Sequence, residues 1–84
     1  HANQLARELA AGLQEVPGAD IVYPVEANAV FARLPFQAIP RIQEEAFFYV
    51  WDEQASIVRL MLSFDSTAED VERLTAAIRK HCAR

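Results

Sequence analysis

The chain has 84 residues, 52% apolar and 24% charged, with two glycines and four prolines, which makes one small domain and excludes disorder and low complexity. A net charge of −4 with no basic run argues against nucleic acid as a partner, and no apolar run approaches the roughly 20 residues needed to span a bilayer. The lone cysteine, Cys82, can form no internal disulfide and offers no metal-ligand spacing, and no basic-then-apolar leader opens the chain, so a cytoplasmic location is expected.

The chain begins inside a helical pattern. In "HANQLARELAAGL", Leu5, Leu9 and Leu13 recur with Val16 at about 3.6-residue spacing. Nothing before His1 caps this helix and no initiator methionine is present, so the 84 residues are expected to be a C-terminal piece of a longer chain. Pro17-Gly18 forces a turn. A short β-like stretch follows at Ile21-Val22-Tyr23 and stops at Pro24. In "NAVFARL", residues 28–34, Val30, Ala32 and Leu34 share one strand face while Ala29, Phe31 and Arg33 share the other.

After Pro35, residues 36–46 predict a helix with Phe36, Ile39, Ile42 and Ala46 as its stripe, and Pro40 either in the first turn or at a kink. "FFYVW", residues 47–51, is aromatic and β-branched and predicts a strand. Asp52 and Glu53 begin a polar turn, and "SIVRLMLSF", residues 56–64, predicts the last strand. Ser66 and Glu69 fit an S-x-x-E capping box opening a final helix, with Val71, Leu74, Ala77, Ile78 and Cys82 as its apolar stripe. The order α-β-β-α-β-β-α over a single domain, residues 1–84, predicts an α+β fold: a small antiparallel sheet of three to four strands with helices covering one face.

No catalytic constellation is complete. Gly12 and Gly18 form no phosphate loop, and His1 and His81 lie at opposite ends of the chain. Near a helix C-terminus, His81 reads as a dipole partner, and Cys82 beside it reads as a packing residue. Glu44-Glu45 and Asp52-Glu53 read as a solvated helix end and a turn. The single lysine, Lys80, shows no sign of the desolvated pocket that a Schiff-base lysine needs. Arg33 reads as an edge-strand arginine with its stem laid on apolar surface.

Arg59 is different, because it interrupts the apolar run Ile57, Val58, Leu60, Met61, Leu62. It shares a strand face with Ile57 and Met61, and with Tyr49 and Trp51 these make an apolar patch too large for open solvent. A guanidinium there needs an anion, either an internal carboxylate such as Asp52 or Glu26, or the carboxylate of a ligand.

The stretches "PVEANAVFARLP" (24–35), "FYVWDE" (48–53) and "VRLMLSFDSTAEDVERL" (58–74) resemble the C-terminal small domain of low-specificity threonine aldolases. These belong to the aromatic amino acid β-eliminating lyase/threonine aldolase group of fold type I pyridoxal-phosphate enzymes. The opening helix is similar too, and the resemblance covers essentially the whole chain. It implies a parent lyase about four times longer, commonly a homotetramer, whose large domain binds pyridoxal phosphate and cleaves L-threonine or L-allo-threonine to glycine and acetaldehyde. It further implies that Arg59 contributes to the grip on the substrate's α-carboxylate, and that the missing domain or a neighbouring subunit covers the apolar face. The 84 residues alone would then be neither catalytic nor cofactor-binding. The alternative is a freestanding α+β module that binds a small carboxylate at Arg59.

Overall fold

The structure, a computed structural model, describes residues 1–23 and 28–82. Its elements are α1 (Ala2–Leu13), β1 (Asp20–Ile21), β2 (Ala29–Arg33), α2 (Ala38–Gln43), β3 (Tyr49–Asp52), β4 (Ile57–Met61) and α3 (Ala68–Cys82). This is the expected α+β order. The four strands form one antiparallel sheet in the order β1-β2-β4-β3. The expected strand stop at Pro24 and the candidate partner Glu26 lie outside the described residues.

Alternation along the two central strands sorts their side chains. Val30, Ala32, Val58 and Leu60 point inward and are at most 1% exposed. They join Leu9 and Leu13 of α1, Ile42 of α2 and Ile78 of α3 in one core. Burying each of the valine, leucine and isoleucine side chains among them contributes about 1.5–3 kcal/mol. The stripe of α1 is as expected, with Ala6 and Ala10 added to it. Gly12 lets α1 approach α3 closely, because a Cβ there would lie 3.3 Å from Thr75 Cγ2. After α1 the chain reverses at Gly18, whose φ of +91° favours glycine.

Several boundaries depart from expectation. The second helix covers Ala38–Gln43 rather than 36–46, with Pro40 in its first turn, where a missing N–H costs nothing. Phe36 is therefore not part of its stripe: it sits in the preceding turn and is 73% exposed. The pairing of β1 starts one residue early at Asp20, and beyond it Val22 still donates its N–H to the Phe31 carbonyl. Arg33 is exposed as expected, but β2 lies inside the sheet rather than at its edge.

The cap of α3 is also displaced by one residue. Thr67 Oγ1 accepts the Asp70 N–H at 3.1 Å and Asp70 Oδ2 accepts the Thr67 N–H at 2.9 Å, a reciprocal box built from Thr67 and Asp70. Ser66, the expected cap, instead accepts the Ser63 N–H through its hydroxyl at 2.9 Å, closing the turn before the helix. That turn is tied to the start of α1, where His1 Nε2 lies 2.7 Å from the Ser66 carbonyl oxygen.

Candidate functional site

Arg59 occupies the centre of the sheet face that the helices leave uncovered. Its strand, β4, is flanked on both sides, and the register sets Arg59 directly between Phe31 of β2 and Tyr49 of β3. Cross-strand neighbours on one face stand about 4.5–5.5 Å apart at Cβ, so both rings flank the arginine stem. Its Cζ lies 5.7 Å from the Trp51 ring centroid, a cation–π separation. Trp51 meets Phe31 edge-on at 5.1 Å and 72°, and Phe31 in turn meets Tyr23 at 5.4 Å and 73°.

The strand is irregular at Trp51. Tyr49 pairs with Arg59 and Val50 with Val58, but the next partner of Ile57 is Asp52 rather than Trp51. Trp51 is thus the extra residue of a β-bulge, a feature that re-aims a side chain and increases strand twist. The turn into β4 supports this geometry. Asp52 Oδ1 accepts the N–H groups of Gln54 and Ala55, each at 3.1 Å, and Ser56 adopts φ 60° before the strand resumes.

One donor of the guanidinium is unpaired among the described residues. Arg59 is partly buried, and its Nε has no hydrogen-bond partner among the described residues. Asp52, one internal partner the sequence offered, is engaged by its own turn, and no described salt bridge involves Arg59. Around it the face is apolar yet open: Tyr49 is 61% and Trp51 55% exposed, and Met61 is exposed as well. Ile57, expected in this patch, is buried at 5%.

The other candidates are accounted for by local structure. His81 Nε2 lies 2.7 Å from Glu45 Oε2, and Lys80 Nζ donates to the same oxygen at 3.4 Å, tying the turn after α2 to the end of α3. The pair holds the Glu45 carboxyl below its ordinary value, chiefly through the His81 hydrogen bond. His81 is therefore more than the dipole partner its position implied. Glu44-Glu45 is no acid/base couple either, since one of its members is spent on this tie. Burial pushes the Cys82 thiol up, the opposite of what a nucleophile needs. A cleft of about 730 Å³ is lined by Pro17, Gly18, Pro35, Arg41, His81 and Cys82, at the helix ends and not on the Arg59 face. The described residues contain no cluster able to hold a metal ion and no helix long and apolar enough to cross a membrane.

The sequence sets Arg59, Tyr49 and Trp51 on one sheet face, and the structure brings them together there with Phe31. The order in which the rings touch and the register shift at Trp51 are not legible in the sequence. No signal in single-residue propensity marks that bulge.

No protein-family profile matches the chain. It is 39% identical over 80 residues to a low specificity L-threonine aldolase of Pseudomonas aeruginosa. It is also 30% identical over 79 residues to the low specificity L-threonine aldolase of a Pseudomonas sp. strain. Each alignment takes in 94% of this chain but 23% of the relative, so the chain spans about a quarter of the length of the curated relatives it matches.

Proposed function

Starting from its relation to low-specificity L-threonine aldolases, we propose that this chain is the substrate-gripping small domain of a longer aldehyde-lyase, and that Arg59 binds the α-carboxylate of its amino-acid substrate. The observation that carries the reading is the partly buried Arg59 whose Nε lacks a partner among the described residues, set in an apolar, aromatic sheet face. An unsatisfied buried donor costs about 1–3 kcal/mol. A carboxylate docking on the guanidinium, with Nε turned toward it, would make the charge-assisted, fork-shaped contact that this group is built for.

In this reading the substrate is L-threonine or L-allo-threonine, and the products are glycine and acetaldehyde. Arg59 fixes the carboxylate end and so orients the bond between Cα and Cβ, a positioning contribution rather than a chemical one. The exposed rings of Tyr49 and Trp51 and the Met61 side chain are covered by the remaining three-quarters of the chain, or by another subunit of a homotetramer.

The described residues do not fit a site for pyridoxal phosphate. The only lysine, Lys80, has a side chain 68% exposed and is ion-paired with Glu45, whereas a Schiff-base lysine sits desolvated. Cofactor binding is therefore assigned to the large domain, and the isolated 84 residues are not catalytic.

The test is Arg59→Lys in the full-length enzyme that carries this domain. Lysine keeps the charge and loses the fork, so kcat/KM should fall about 5- to 150-fold, corresponding to about 1–3 kcal/mol. Kinetics within twofold of the parent would remove Arg59 from the site. A second reading is a freestanding module. Arg59 and the rings described beside it, Trp51, Phe31 and Tyr49, lie within these 84 residues, so such a module could offer them to a small carboxylate. Saturable heat on titrating the 84 residues with amino or keto acids would support that module, and a flat titration would sink it.

A further inference from the structure

We propose that Trp51 is a positioning residue for substrate binding, holding the Arg59 guanidinium in the orientation a carboxylate needs. The inference rests on the reading of Arg59 as the carboxylate grip. An arginine side chain has many rotamers, and a two-pronged contact is made only if the fork is held in register with its target. Hydrogen bonds to neighbours usually do this, yet the Arg59 Nε has none among the described residues. What lies against the guanidinium is the Trp51 ring, at 5.7 Å from Cζ.

Three further observations point the same way. Trp51 is the extra residue where the register of β3 shifts, so it has no partner of its own on β4 and its ring lies over Arg59. Its ring is braced from the far side of Arg59 by the edge contacts of Phe31 and, behind that, Tyr23. It is also 55% exposed, which a residue present only to fill a core would not be. A braced, half-open indole over a cation restricts the fork without taking any of its hydrogen bonds.

The experiment compares Trp51→Phe, Trp51→Leu and Arg59→Lys in the full-length enzyme, each checked for native circular dichroism. Steady-state kinetics are measured with threonine and with threoninamide, which lacks the carboxylate. Trp51→Leu should raise KM for threonine about 3- to 30-fold, the range a cation–π contact spans, with kcat changed less than about twofold. Its preference for threonine over the amide should fall by the same factor. Trp51→Phe should recover most of the loss, because a ring face is retained. If Arg59→Lys raises KM but Trp51→Leu does not, or Phe is as poor as Leu, this role for Trp51 is overturned while the Arg59 reading stands. If neither variant moves KM, the Arg59 reading fails and takes this inference with it.

Discussion

Replacing Thr67 with alanine separates two versions of how α3 begins. In the structure Thr67 Oγ1 accepts the Asp70 N–H at 3.1 Å, and Thr67→Ala removes that acceptor. The reciprocal bond from the Thr67 N–H to Asp70 Oδ2, at 2.9 Å, survives, as does the 2.6 Å pair between Asp70 and Arg73. The freed amide is at the surface and can turn to water, so the loss is that of one cap, about 1 kcal/mol. For a chain of this size the urea slope is about 1 kcal/mol per M, so the midpoint should drop by about 1 M and Tm by about 4–8 °C. Ser66→Ala, which removes the exposed turn contacts with the Ser63 N–H and hydroxyl, should shift the midpoint by less than half as much. Circular dichroism followed through urea titrations of both variants gives the answer. A larger loss for Ser66→Ala would show that the helix is capped where the S-x-x-E pattern put it, and the reciprocal Thr67–Asp70 box would be wrong.

The tie from Glu45 to His81 and Lys80 makes part of the stability pH-dependent. Glu45 is held below its ordinary value of 4.5, so its contribution is present above about that pH and is lost as pH falls through the lower folded value. The stability gap between wild type and Glu45→Gln should therefore be open at pH 7 and closed in strong acid; a gap of equal size at both would contradict the tie. Two backbone positions with positive φ should respond in opposite directions. Gly18→Ala places a side chain at φ +91° with Pro35 Cγ 3.4 Å away and should cost about 1–2 kcal/mol, whereas Ser56→Gly relieves φ 60° and should gain up to about 1 kcal/mol. Thermal melts that fail to show opposite signs would refute the assignment of strain to these two turns.

Periodicity carried most of the fold. Leu5, Leu9 and Leu13 at helical spacing, and Val30 and Ala32 or Val58 and Leu60 at alternate positions, are all buried where the pattern put them. Both kinds of element have one dry face, and a dry face leaves a regular trace in sequence. What the sequence did not disclose depended on competition between near-equivalent residues. Ser66 and Thr67 are both good caps, and the choice turns on where the Ser63 amide finds its acceptor. Phe36 looked helical because 36, 39 and 42 are evenly spaced, but α2 starts only at Ala38. For the site, an arginine among aliphatic residues was legible because its desolvation cost demands an explanation. The bulge at Trp51 was not legible, since it is a property of strand pairing that no local composition encodes.

The strand order β1-β2-β4-β3 has a kinetic consequence. The β3–β4 hairpin closes over residues 53–56, whereas pairing β2 with β4 must enclose residues 34–56, which include α2 and all of β3. Loop-closure entropy grows as three-halves RT times the logarithm of length, so the second closure costs about 1.5 kcal/mol more than the first. The hairpin is the cheaper nucleus, and β2, bringing Phe31, arrives against an edge already formed. Amides of β2 should then gain protection from pulse-labelled hydrogen exchange after those of β3, and simultaneous protection would mean that the helices draw the sheet together as one event. Until β2 arrives, the edge of β4 that carries Arg59 is a row of unpaired backbone groups, and in a concentrated solution a second chain can reach that row first.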